Sequence, residues 1–216
     1  MTRPSSPWRV PPGDRARQHE LKRDAVILTA ARAFRERGYH NTSLDDIAAA
    51  LHVTKPTLYY YVSNKEQMLF ACFEEGLARL TVACDEARAA GASGRERLVA
   101  LVHRYVEAIT SDFGWCMVRA EDQDLSPAMG ARIKALKSGI DQEIRALIRA
   151  GIADGSIAVR DPKMAAFALA GALNWISHWY RDDASLSAGA IAERFVDLFV
   201  NGLAPRTRQA PSGKST

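Results

Sequence analysis

The sequence predicts an all-α chain of about nine helices, divided into a small N-terminal helix-turn-helix head and a larger helical body. Three observations carry that expectation. Apolar residues recur at three- and four-residue spacing along most of the chain, and no segment sustains the alternation of a half-buried strand. Two short apolar runs near residues 44–62 are separated by only a tight turn. Charge divides the chain as well, with net +5 over residues 1–65, net −4 over 66–203 and net +3 over 204–216. A basic head on a mildly acidic body suits a protein whose N-terminal part meets a polyanion that the body avoids.

Each element follows from its own signals. Residues 1–19 hold Pro4, Pro7, Pro11, Pro12 and Gly13 among arginines and are expected to form a disordered basic arm. From about Leu21, Ile27, Ala30, Ala31 and Phe34 share one face of a first helix that Gly38 closes. Ser43 followed by Asp46 has the spacing of a capping box and opens a short helix, Leu44–Leu51, with Ile47, Ala48 and Leu51 inward. His52 and Val53 make a tight turn before Thr54 caps another short helix, which carries Pro56 in its first turn, where the missing N–H costs little. Asn64-Lys65-Glu66 starts a long helix towards Ala89, and the Gly91–Gly94 segment ends it. Further helices are expected near 95–112, 116–123, 127–152, 161–181 and 187–203, followed by a polar tail. The expected divisions are an arm over 1–19, a DNA-binding head over 20–65, a ligand-binding and dimerisation body over 66–204 and a disordered tail over 205–216.

Composition excludes several function classes. No apolar run approaches the length of a membrane span, and no charged segment followed by an apolar stretch marks a secretory leader, so a cytoplasmic protein with no membrane partner is expected. Cys72, Cys84 and Cys116 lack metal or redox spacing and sit in apolar patterns, which predicts buried reduced thiols. No nucleophile and base, paired carboxylates or ligand set stands out, so neither enzymatic activity nor a cofactor is expected. The nearest metal candidates, Glu121, Asp122 and Asp124 with His103, read as a solvated capping loop and an unrelated histidine.

The run TSLDDIAAALHVTKPTLYYYVSNKEQML, Thr42 to Leu69, carries the sharpest signal. A helix entering the major groove needs donors and flat apolar groups for base edges and thymine methyls, with hydroxyls, backbone N–H groups and cations for phosphates. Lys55, Thr57, Tyr60 and Tyr61 meet that description, and three adjacent tyrosines cannot all face one core. Thr42, Thr54 and Lys65 lie at helix N-termini, where phosphate is readily held. This run, within residues 20–72, resembles the N-terminal signature of the TetR/AcrR family of repressors. The resemblance implies Thr42, Lys55, Pro56, Thr57, Tyr59, Tyr61 and Lys65 at double-stranded operator DNA, with Leu58 and Val62 in the small core. With only Lys55 as a cation in the recognition helix, Arg15, Arg17, Lys22 and Arg23 are candidates for added phosphate or minor-groove affinity.

In the body, the helix over 161–181 carries Ala168, Ala172, Trp175 and Trp179, and that over 187–203 carries Ile191, Phe195, Leu198 and Phe199, on wide apolar faces. Such faces need a partner, and a two-fold four-helix homodimer interface is expected, as the family resemblance also implies. Aromatic density elsewhere suggests a cavity for an apolar ligand. Its candidate walls are Phe73, Leu77, Tyr105, Phe113, Trp115, Met117, Ile144, Trp175 and Trp179, with His103, Arg119, Asn174 and His178 as polar candidates. The segment GALNWISHWYRDDASLS resembles a branch of the family that includes regulators of fatty-acid and sterol breakdown, which implies an acyl-CoA thioester as one candidate ligand, with Arg119, Arg145 and Arg149 at the mouth. The function expected is thus a repressor that binds a pseudo-palindromic operator as a dimer and is released by a small, largely apolar inducer. A helical interaction scaffold without DNA binding, or a DNA-binding activator, remains the alternative.

Overall fold

The computed structural model describes residues 15–202, apart from 92, 121 and 182–184. Among these residues there are nine α-helices and no strand: α1 (Arg15–Arg37), α2 (Leu44–Leu51), α3 (Lys55–Leu58), α4 (Lys65–Ala89), α5 (Gly94–Thr110), α6 (Gly114–Arg119), α7 (Pro127–Ala153), α8 (Pro162–Trp179) and α9 (Ala188–Asn201). The expectations for residues 1–14 and 205–216 lie outside the described residues.

Residues 15–19 are not part of an arm; they open α1. The run from Arg15 contains no Pro or Gly, and extending an existing helix adds one hydrogen bond per residue fixed, so helix wins there. The head closes as its capping residues dictate. Ser43 and Asp46 form a reciprocal capping box, with the Ser43 N–H donating to the Asp46 carboxylate at 2.8 Å and the Asp46 N–H to Ser43 Oγ at 3.1 Å. His52 takes a left-handed conformation, φ 56° and ψ 40°, and turns the chain from α2 into α3.

The second short helix is briefer than its sequence suggested. After Leu58 the backbone tightens into turns, with the Tyr60 N–H reaching the Thr57 carbonyl and the Tyr61 N–H the Leu58 carbonyl. Likewise α6 ends at Arg119, and Asp122–Asp124 forms a separate 3-10 turn.

The helix α4 belongs to both parts. Its first turns close the head core of Val26, Ala30, Phe34, Ile47, Leu58, Val62, Met68 and Leu69, while Leu77, Leu80 and Cys84 further along face α5 and α7. In the body, α7 and α8 pack on α5, and α9 covers another side of α5. Cys72, Cys84 and Cys116 are free and buried. No helix among the described residues is long and apolar enough to cross a membrane.

Candidate nucleic-acid interface and internal cavity

The outer surface of α3 and the turn after it present Thr54, Lys55, Pro56, Tyr59 and Tyr60 to solvent. Tyr60 is 79% exposed and Tyr59 50%, although both are large aromatics. Tyr61 is the inward member of the trio, half-buried against the head core and 4.9 Å from the His19 ring of α1. Burial raises its phenol pKa. Lys55 is held by Asp45 of α2 at 2.8 Å, a solvent-screened exposed pair that a phosphate can displace at little cost. Thr57 is half-buried, and its hydroxyl lies 2.9 Å from that of Thr54. Thr54 therefore starts the helix through its carbonyl, which accepts from the Thr57 N–H, and not through a side-chain cap.

Thr42 does not face outward. It is 2% exposed, and its hydroxyl lies 2.9 Å from the Gly38 carbonyl and 3.2 Å from that of Ala33, pinning the α1–α2 corner. A residue just before an N-cap turns towards the helix it enters, so the outward hydroxyl here is that of Ser43. Lys65 is half-buried with its ammonium 4.2 Å above the Tyr39 ring, and burial lowers its pKa while nearby Asp124 opposes the shift.

Polar ties join head to body. Asp112, in the α5–α6 corner, accepts from Arg32 at 2.8 Å and from Arg35 at 3.4 Å, both on α1. His40 lies 2.9 Å from Asp124, and Glu66 accepts the Ser126 N–H at the start of α7 at 2.6 Å. That hydrogen bond holds the Glu66 carboxyl below its ordinary pKa. The suggested metal set does not assemble: Asp124 faces His40, whereas His103 faces Glu193 of α9 at 3.7 Å, and Glu121 lies outside the described residues.

The body holds a cavity of about 310 Å³ between α4, α5, α6, α7 and α8 that is open to solvent on one side, where Phe167 is half exposed. Of the residues predicted from sequence, Leu77, Tyr105, Met117, Ile144 and Asn174 line it. The Tyr105 hydroxyl donates to Asn174 at 3.0 Å, and burial pushes its pKa up to about 12. Phe73, Phe113, Trp115, His103 and Arg119 do not line it: Phe73 and Phe113 are packed in the core, Phe113 at the edge of a different cleft, and Arg119 is exposed. Trp175, His178 and Trp179, expected in the wall, do not line it either, because α8 turns them outward, with Trp175 62% exposed and stacked on His178 at 4.3 Å.

Sequence reasoning missed Lys137 and Asp141 of α7 and Phe167 and Ala170 of α8, which do line the cavity. Their signal was helical spacing, since 137, 140, 141 and 144 share a face of α7, as do 167, 170 and 174 of α8. Asp141 is paired with Arg145, whose guanidinium stacks on Phe167 at 5.1 Å.

Of the residues expected at a two-fold interface, Ala168, Trp175, Trp179, Leu198 and Phe199 are exposed, and Ala172 and Phe195 are half-buried. Met164 and Gly171 extend the open face of α8. Ile191 is 2% exposed within its own chain, because α9 turns that side to α5.

The head and body match separate family descriptions. Residues 26–72 match the bacterial regulatory proteins of the tetR family, and residues 91–203 match the tetracyclin repressor-like C-terminal domain. The transcriptional activator FasR of Mycolicibacterium smegmatis is 25% identical over 92% of this chain and 93% of its own. The transcriptional repressor KstR2 of Rhodococcus jostii is 28% identical over 90% of this chain and 97% of its own. A crystal structure of AibR with isovaleryl coenzyme A and operator DNA is similar at a TM-score of 0.73 and 30% identity, over 83% of this chain and 98% of that one.

Proposed function

Because the chain belongs to the TetR family of bacterial transcriptional regulators, we propose that it is a homodimeric repressor that binds a pseudo-palindromic operator and is released when an acyl-CoA thioester or similar small apolar ligand fills the body cavity. The observation that carries this reading is the exposed surface of Lys55, Pro56, Tyr59 and Tyr60 on a head of net +5. Large aromatics are left in solvent only at a cost, and here they flank a cation and hydroxyls that suit thymine methyls, base edges and phosphates. Thr54, Thr57 and Lys65 complete the phosphate contacts, with Ser43 taking the place at the start of α2 that sequence had given to Thr42. Tyr61 serves as the packing anchor that fixes the turn.

Dimerisation is supported by the exposed apolar face of α8 with the last turns of α9, and two heads are what a two-fold operator requires. The ligand reading is supported by the mainly apolar wall of the cavity and by the isovaleryl coenzyme A held by AibR. An activator is the second reading, favoured by the name of FasR. Fluorescence anisotropy with DNA from upstream of the protein's own coding region tests the core claim. Saturable binding that falls steeply with salt is expected, while no binding at low salt by dimeric protein would sink it. A promoter fusion in cells with and without the gene then separates repressor from activator by the sign of the change.

A further inference from the structure

We propose that the rim of the body cavity is an anion subsite, formed by Lys137, Arg145 and Lys163, that holds the phosphates of an acyl-CoA while the acyl group enters between α4, α5 and α6. The inference rests on the cavity being the effector site. Charge and hydrocarbon are segregated in the lining. Leu77 and Leu80 of α4, Ile109 of α5 and Met117 of α6 make a buried apolar wall, whereas the charged lining residues, Lys137 and Asp141, both come from α7. A ligand with one apolar and one anionic end is thereby oriented, hydrocarbon inward and charge towards α7 and the adjoining start of α8.

Phe167 of α8 marks the open side, and two cations lie against its ring. Arg145 of α7 stands 5.1 Å from the ring centroid, and Lys163, one turn before Phe167 on α8, stands 5.6 Å from it. Arg145 is paired with Asp141, yet its Nε is buried and, among the described residues, has no hydrogen-bond partner. A buried donor left unpaired is costly, and a ligand oxygen arriving beside Asp141 and Phe167 would supply its acceptor. Lys163 is exposed and has no ion-pair partner among the described residues, because the nearby Asp161 caps α8 by accepting from the backbone N–H groups of Lys163 and Met164. Lys137 lies one turn before Asp141 on the same face of α7, with its ammonium 5.2 Å from the Phe73 ring. Three cations thus stand against one lining carboxylate on a body of net −4. That excess suits several phosphate charges better than the single carboxylate of a free acid.

Full-length protein is titrated calorimetrically with hexanoyl- and decanoyl-CoA, with the matching S-acyl-pantetheines, which keep the thioester but carry no phosphate, and with the two free acids. The CoA esters are expected to bind at least about tenfold more tightly than the pantetheine esters and the acids, the worth of one charge-assisted hydrogen bond. Added salt should shrink that advantage. A Lys137→Gln, Lys163→Gln double variant should lose at least about tenfold for the CoA esters while the pantetheine esters are spared, and Arg145→Gln should act in the same direction. Should Arg145→Gln fail to fold, the double variant decides. Equal affinity for CoA and pantetheine esters, tightest binding of the free acids, or a loss in the double variant that falls on both esters alike overturns the anion subsite and leaves the effector cavity standing. Absence of binding by every thioester and acid overturns the effector reading and this inference with it.

Discussion

Two residues of the head, Thr42 before α2 and Tyr60 after α3, separate stability from recognition. Thr42 sits in the core with its hydroxyl against the carbonyls of Gly38 and Ala33, and valine has nearly its shape without the donor. Thr42→Val should therefore cost about 1–3 kcal/mol of stability, the penalty for a buried acceptor left unpaired. Tyr60 is the opposite case. Its side chain is mostly in water, so Tyr60→Ala should leave the urea midpoint within about 0.5 kcal/mol of wild type. Its DNA affinity, however, should fall at least about tenfold, as loss of a contact to base or backbone requires. Urea melts and anisotropy on both variants check the pair, and a Tyr60→Ala protein that binds DNA normally removes that tyrosine from the interface. Sequence pattern had treated both as exposed hydroxyl-bearing contacts. The capping box at Ser43 already held the correction, because it makes Thr42 the residue before the cap, and that position turns inward.

At the scale of elements, two glycines in helices of the body have opposite meanings. Gly114 lies where a Cβ would collide with the Ile109 carbonyl, and backbone cannot step aside as a flexible side chain can. Gly139, midway along α7, has nothing near its missing Cβ and only loosens the helix. Gly139→Ala should add about 0.5–1 kcal/mol of stability, whereas Gly114→Ala should remove several times that by parting α5 from α6. Thermal melts of the two variants that shift in the same direction would refute the assignment of Gly114 as a close-approach site. Helix existence was legible throughout, since capping residues and prolines mark Leu44, Lys65, Pro127 and Pro162 as starts. The cavity was legible only in part. The helix α8 has two apolar faces, one of Leu169, Leu173 and Ile176 turned into its own chain and one carrying Met164, Trp175 and Trp179 in solvent. Periodicity reveals both faces but not which one meets the interior, and the aromatics drew the wall to the wrong side.

At the scale of the whole molecule, the outward face of α8 is the surface through which the proposed dimer would form. Met164, Ala168, Gly171, Trp175 and Trp179 recur at three- and four-residue spacing, and a contiguous apolar stripe left in water on a single chain marks an interaction surface. Open space around the missing Cβ of Gly171 leaves room for a second helix to approach closely. The exposed Leu198, Phe199 and Val200 of α9 would supply the neighbouring apolar surface of the proposed isologous contact. In the proposed dimer Trp175 would lie in the contact, so Trp175→Glu would bury an unpaired carboxylate there and disfavour association. Analytical ultracentrifugation should find this variant monomeric at concentrations where the wild type is dimeric. Its affinity for a two-half-site DNA should fall at least about a hundredfold, because the second head no longer arrives at the high effective concentration that linkage provides. Affinity for an isolated half-site should stay unchanged, since Trp175 lies in the body and the head keeps its own core. By contrast, Ile191→Ala empties a site inside the chain and should lower the melting temperature of the monomer itself. A Trp175→Glu protein that remains dimeric would place the two-fold interface elsewhere than on α8.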